Sequence, residues 1–278
     1  MTGPLDSVPL WPSVGAAGWT SATAGEKVGP SERVFPWASV TKVVTSMAIW
    51  VAVEEGTVSF DDEAGPPGCS LRHLLSHSSG LAPDDDQVLA APASRRIYSN
   101  RGIELAASHL ADRAGIPFAE YLSEAVFEPL GLTRTRLAGS PAHGGEGSLD
   151  DLIEVARELL QPRLVSQATW LEATAVAFEG LPGVLPGFGS QANNDWGLGV
   201  EIRDHKNPHW TGRLNSPSTF GHFGKSGAFL WVDPVAGIAL AGLSDRPFGA
   251  WARQAWPELA DRVLETDRVL ETRYRDRQ

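Results

Sequence analysis

The chain has 278 residues, 42% of them hydrophobic and 21% charged, the proportions of a soluble globular protein of one large domain or two lobes sharing a core. Its net charge of −11 and pI near 5.1 argue against nucleic acid or an anionic membrane as partner. No run reaches the roughly 18 apolar residues of a membrane span, and the N-terminal residues show neither a basic nor an apolar signal region, so a cytoplasmic protein is expected. The single Cys69 has no cysteine with which to pair or share a metal.

In chain order, residues 1–13 carry Pro4, Pro9 and Pro12 and read as an irregular arm. Ser13 to Trp19 is a small-residue strand candidate, followed by a Gly/Ser/Thr-rich turn before Glu32-Arg33-Val34-Phe35. Next comes an apolar helix from Ser39 to about Glu55, with Gly56 as its stop and a central, buried position expected. Ser39 and Lys42 lie three apart at its start and share one face. A lysine among Val43, Val44, Met47 and Ile49 is partly desolvated, which favours the neutral amine that can activate a serine hydroxyl. By itself the spacing favours a helix-capping serine followed by a snorkelling lysine.

Ser70 caps a short helix, Leu71 to Leu75, leading into His77-Ser78-Ser79-Gly80-Leu81. His73 and His77, four apart, have no evident third ligand, so no metal site is expected. Asp84-Asp85-Asp86 reads as a solvated loop. Helices are predicted over Gly102 to Ala114, Pro117 to Phe127, Leu149 to Leu160 with Ser148 as cap, and Ser166 to Ala175. After Pro182, strands follow at Trp196 to Arg203, Phe220 to Val232 and Gly237 to Ser244, the last two as a hairpin. Trp251 to Leu264 is a closing amphipathic helix, and the tail repeats Asp-Arg-Val-Leu-Glu-Thr at 261 and 267, a local duplication.

The fold class expected is α+β: an antiparallel sheet flanked by helices, with an inserted all-helical lobe. Residues 1–56 and 186–278 form the discontinuous sheet lobe and 57–185 the helical lobe, with a ligand site at their junction.

Ser39-x-x-Lys42, Tyr98-x-Asn100 and His222-x-Gly224 follow one another in this order, together with Phe127 to Leu132 and Gly144 to Leu152. In this the chain resembles the serine β-lactamase and penicillin-binding-protein superfamily, in its class C β-lactamase, D-alanyl-D-alanine carboxypeptidase and family VIII carboxylesterase branch. The resemblance implies catalytic roles for Ser39 as acylated nucleophile, Lys42 as proton acceptor and Tyr98 as proton shuttle. Sequence leaves open whether Lys42 or the Tyr98 phenolate is the base. It implies substrate contacts for Asn100, His222, Gly224 and Lys225, and an oxyanion hole from the Ser39 and Lys225 N–H groups, where one donor is worth about 3 kcal/mol of barrier.

The function expected is a serine hydrolase acting on a small-molecule ester or amide, most of all a carboxylesterase, without cofactor or metal. A β-lactamase or D,D-peptidase is the alternative enzyme, and a non-catalytic scaffold that keeps the fold is the alternative of another class. The family's first helix and strand lie ahead of the segment matched by Ser13 to Trp19, so an exposed sheet edge that another chain covers is also expected. Trp37, Phe188, Trp196 and Trp210 are candidates to line an acyl pocket.

Overall fold

The computed structural model describes residues 3–275, with side chains through Thr266. In chain order the first elements are β1 (Gly15–Ser21), β2 (Gly25–Val28), β3 (Phe35–Pro36), α1 (Thr41–Glu54), α2 (Leu71–Leu75), α3 (Asn100–Ala114) and α4 (Phe118–Leu122). Then come β4 (Arg136–Leu137), β5 (Gly145–Gly147), α5 (Leu149–Leu160), α6 (Gln167–Thr174), β6 (Gly183–Leu185) and β7 (Gly189–Gln191). The last are β8 (Glu201–Ile202), β9 (Phe220–Gly224), β10 (Ala228–Asp233), β11 (Ile238–Ser244) and α7 (Ala250–Arg275). No helix among the described residues is long and apolar enough to cross a membrane.

The main sheet is antiparallel, in the order β2-β1-β11-β10-β9-β8. Side chains alternate across a strand, and here both faces are covered. Ala228, Leu230 and Val232 of β10 join the core shared with α1 and α5, while Phe229 and Trp231 join the core under α7. That double burial is why this stretch reads as a continuous apolar run. The expected antiparallel sheet flanked by helices is the architecture found. The segment 57–185 supplies most of the helices and also the short strands β4, β5 and β6, and its α5 lies against β1, β10 and β11.

Local signals placed most helix starts. Ser148 and Ser166 accept the N–H groups of Asp151 and Thr169 as N-caps, and Ser70 with His73 forms a capping box. Gly56, at φ 73°, ends α1 in the left-handed conformation that glycine adopts without strain. Four expectations change. Of the strand expected at Trp196 to Arg203 only Glu201–Ile202 is strand, with Trp196 in an isolated bridge to Glu201. The stretch Phe220 to Val232 is two strands, because Gly224 to Gly227 make a tight turn with Gly227 at φ 96°. Residues 118–127 form α4 and then a π-helical turn, Ser123–Phe127. The third helix begins at Asn100, with Ser99 as its N-cap, accepting the Gly102 N–H at 3.0 Å. Asn100 thereby occupies the first helical turn. The first copy of the tail duplication continues α7, and the side chains of the second lie outside the described residues.

The strand predicted at Ser13 to Trp19 is not the sheet's edge, since β2 pairs with it. The edge strand β2 is short and presents Glu26 and Lys27 to solvent, a composition that discourages edge-to-edge pairing.

Candidate active site

α1 is buried along nearly its whole length between the sheet and the surrounding helices. Of its buried polar residues, Thr41, Lys42 and Thr45 are engaged at one end, while the Ser46 hydroxyl has no partner among the described residues. The Thr45 hydroxyl donates to the Pro141 carbonyl at 2.6 Å, and Thr41 donates to Ala38 O while accepting the Gly145 N–H at 2.9 Å. The glycine-rich loop at 139–147 is thus fastened across the start of α1. Ser39 sits just before it in a 3-10 turn, Ala38–Val40, and Ala38 is held at φ 45°. A non-glycine residue in that region stores about 1–3 kcal/mol of strain.

β9 runs beside this turn. A Cβ at Gly224 would lie 2.3 Å from the Trp37 carbonyl oxygen and 3.2 Å from the Ser39 N atom. Gly224 therefore serves the close approach of strand to turn, which brings Lys225 beside Ser39. Ser39, Tyr98, Asn100, His222 and Lys225 all line one cavity of about 310 Å³, together with Leu185, Trp196, Glu201, Phe223 and Phe248. The junction between the sheet and the inserted segment brings together residues scattered over nearly 190 positions of the chain.

Lys42 is fully buried, and its Nζ meets three groups. It donates to Asn100 Oδ1 at 2.6 Å and to the Ala142 carbonyl at 2.8 Å, and it stands 3.2 Å from Ser39 Oγ. The Asn100 amide cannot be flipped, because its Nδ2 donates to Asp84 Oδ1 at 2.7 Å. Burial lowers the Lys42 pKa to about 7, although Asp84 and Glu104 pull it upward. A neutral amine has two N–H donors and one lone pair. Both donors are taken by oxygens that only accept, so the lone pair is left for the Ser39 hydroxyl.

Tyr98 lies on the other side, its ring 4.7 Å below Lys42 Nζ. Burial pushes the phenol well above its ordinary range, more than the neighbouring Ser39 hydroxyl pulls it back. Its oxygen is 3.4 Å from His222 Nε2. His222 Nδ1 is 2.7 Å from the Phe223 carbonyl, which only accepts, so Nδ1 carries the proton and Nε2 presents a lone pair to the phenol. Burial first, and then the charge of Lys42, lowers the His222 pKa to about 3, so the ring is neutral.

Several residues around the cavity were not legible as part of a site. Asp84, read as solvated loop, orients Asn100. Of the four aromatic candidates, Trp196 lines the cavity. Trp37 is wholly buried, Trp210 stacks behind Phe223, and Phe188 packs on Phe223 and Phe248. His73 accepts the Ser70 N–H and His77 the Ser99 N–H, each through Nδ1, so both of these nitrogens are engaged by backbone.

An ionic cluster reaches the cavity through Glu201. The buried Glu201 carboxylate accepts from Lys206, from His209 Nε2 at 3.0 Å and from Trp210 Nε1 at 3.0 Å. Burial acts to raise its pKa, but His209 and Lys206 outweigh it and hold the acid at about 2. Removing one member of such a pair strands the other charge, which typically costs about 3–5 kcal/mol. Glu201→Gln is therefore expected to unfold at clearly lower urea concentration than the wild type; an unchanged midpoint would show that the cluster is not held by charge.

The geometry has counterparts among known proteins. A β-lactamase from Mycobacterium bovis shares 49% identity over 95% of this chain and 99% of its own, with a TM-score of 0.93. EstCE1, described as a hydrolase with promiscuous acyltransferase activity, has the same fold at 17% identity, with a TM-score of 0.77 over 94% of this chain and 96% of its own. The D-alanyl-D-alanine-carboxypeptidase/endopeptidase AmpH of Escherichia coli K12 is 28% identical over 155 residues, which span 42% of this chain and 40% of AmpH. The family model described as Beta-lactamase matches residues 13–265. With Ser39 and Tyr98 lining one cavity of this fold and the buried Lys42 set against Ser39, the chain belongs to the β-lactamase family of serine hydrolases.

Proposed function

We propose that the protein is a carboxylesterase that forms an acyl-enzyme on Ser39 and releases it to water. The observation that carries this reading is the arrangement at Lys42: two donors locked on Asn100 and Ala142, and a lone pair within reach of Ser39 Oγ. Neutral Lys42 takes the Ser39 proton as Oγ attacks the ester carbonyl, and the Ser39 and Lys225 N–H groups receive the oxyanion. The phenol, held protonated by burial, gives its proton to the departing alkoxide. Lys42 is thus the base and Tyr98 the acid. Water then gives one proton to the Tyr98 phenolate as it attacks the acyl-enzyme, the carboxylic acid leaves, and the Lys42 ammonium returns its proton to Ser39 Oγ.

Small esters are favoured by a neutral His222 at the third motif and by a cavity walled by Leu185, Phe223 and Phe248. A cytoplasmic setting belongs to the same reading and is supported by the single free, buried Cys69. The similarity to a β-lactamase and to AmpH favours a second reading, turnover of β-lactams or D-alanyl peptides.

One experiment separates the two. Intact-protein mass spectrometry after exposure to p-nitrophenyl butyrate, nitrocefin, a fluorescent penicillin and a fluorophosphonate reads which class acylates the chain. Labelling by the fluorophosphonate and rapid turnover of the butyrate, with slow or absent nitrocefin turnover, is expected. Faster turnover of nitrocefin would replace the esterase reading with the lactamase one.

A further inference from the structure

His77 is buried against Tyr98 without belonging to the chain of groups that moves the proton. It stands just beyond α2 at φ 56°, a left-handed conformation that histidine adopts only occasionally. Its carbonyl accepts the Ile97 N–H at 2.9 Å, and its Nδ1 accepts the Ser99 N–H at 3.2 Å. The two bonds bracket Tyr98. Because Nδ1 receives an N–H, the proton of the neutral ring sits on Nε2, which has no hydrogen-bond partner among the described residues. The ring lies 4.6 Å from the Tyr98 ring and 4.6 Å from that of Trp196, which it meets at 88°.

Tyr98, Lys42, His222 and Arg96 are the titratable or charged groups around it. Burial first, and then the charges of Lys42, His222 and Arg96, keep His77 well below the ordinary histidine range. Ser99 spends its hydroxyl on the Ala82 carbonyl and the Gly102 N–H, so its own N–H depends on His77. Simple filling of the space would be served by an apolar side chain, and the backbone angle alone by glycine. A histidine here answers a different need, an acceptor at Nδ1 combined with a flat face.

We propose that His77 is a positioning residue of this site: Nδ1 fixes the Tyr98–Ser99 peptide and the ring fixes the Tyr98 phenol, so that Tyr98 and Asn100 both face Lys42. The assignment rests on the acyl-transfer reading above. Loss of the ring opens a buried space beside Tyr98, whose own ring is 4.7 Å from Lys42 Nζ, and water enters it. The amine is then better solvated and harder to deprotonate.

The test compares the full-length wild type with His77→Gly and His77→Asn. Glycine takes φ 56° without strain but removes both acceptor and ring. Asparagine tolerates the same angle and offers Oδ1 near the place of Nδ1. Fluorophosphonate labelling rates, and kcat and KM for p-nitrophenyl butyrate, are measured from about pH 5 to 9, the range that brackets the proton acceptor. His77→Gly is expected to react about 30-fold more slowly, chiefly in kcat, with the acid limb of its profile moved to higher pH. His77→Asn is expected within about threefold of the wild type, since it restores the bond to Ser99. A His77→Gly protein that labels at the wild-type rate with an unmoved limb overturns the assignment, and so does an asparagine variant as slow as the glycine one. Should His77→Gly fail to fold, imidazole nitrogen NMR of the wild type decides. His77 must stay neutral with its proton on Nε2 across the active range, and an Nδ1–H or charged ring there refutes the role. A wild type that never labels overturns the acyl-transfer reading itself, and this assignment with it.

Discussion

Ser39→Ala is expected to lower kcat/KM for p-nitrophenyl butyrate by at least about a thousandfold while leaving the fold intact, because loss of a nucleophile removes the covalent route altogether. Ser39 Oγ lines the cavity and is the hydroxyl presented to the Lys42 amine. Its hydroxyl meets Lys42, which keeps its bonds to Asn100 and Ala142, and neighbours the Tyr98 phenol, which keeps His222, so its removal strands neither buried group. The variant should melt close to the wild type and take up no fluorophosphonate. Any rate left over would come from the oxyanion donors and substrate binding alone. Undiminished turnover by purified Ser39→Ala would take Ser39 out of the mechanism.

Lys42→Met is expected to reduce kcat about 10²–10⁴-fold with little change in KM, the usual effect of losing a general base. Methionine matches the length and burial of the lysine stem and lacks the nitrogen. Lys42→Arg should fail almost as badly, since a guanidinium stays charged and offers no lone pair. The pH profile of the wild type gives an independent check. A buried amine lowered to about 7 is charged and inactive below that value and becomes a free base above it. Acylation should therefore rise through about pH 7 and level off on the alkaline side. If the Tyr98 phenolate were the base, the rise would instead lie far into alkali, because burial raises that phenol. A profile that falls between pH 6 and 8 would contradict the Lys42 assignment.

The two residues illustrate how function is set against stability here. An amine buried in an apolar helix and an alanine held at φ 45° beside the nucleophile both cost folding free energy. On the proposed mechanism each stands where the chemistry needs it: the first as a free base near neutral pH, the second in the turn that presents Ser39 to the cavity.

What the sequence determined by itself is the set of features that depend on neighbours a few positions away. The Ser39-to-Lys42 step puts two groups on one face of a turn, serines at 70, 148 and 166 begin helices, Gly56 ends one, and the run 228–244 folds back as a hairpin. The order of three short motifs was enough to indicate the family. The turn at Lys225-Ser226-Gly227 was missed, because the continuous apolar run on either side concealed the break.

Only the tertiary structure decided the protonation states and the walls of the cavity. Lys42 gains its low pKa from burial and its two locked donors from residues 58 and 100 positions away, and Asp84 reaches Asn100 from a loop that looks merely solvated. Glu201 is ionised in the interior because Lys206, His209 and Trp210 surround it, and His77 meets Tyr98, 21 positions further along the chain. Helical spacing and caps are properties of a segment. Desolvation and hydrogen-bond satisfaction are properties of a place in the fold, and no segment carries them before the chain has closed around it.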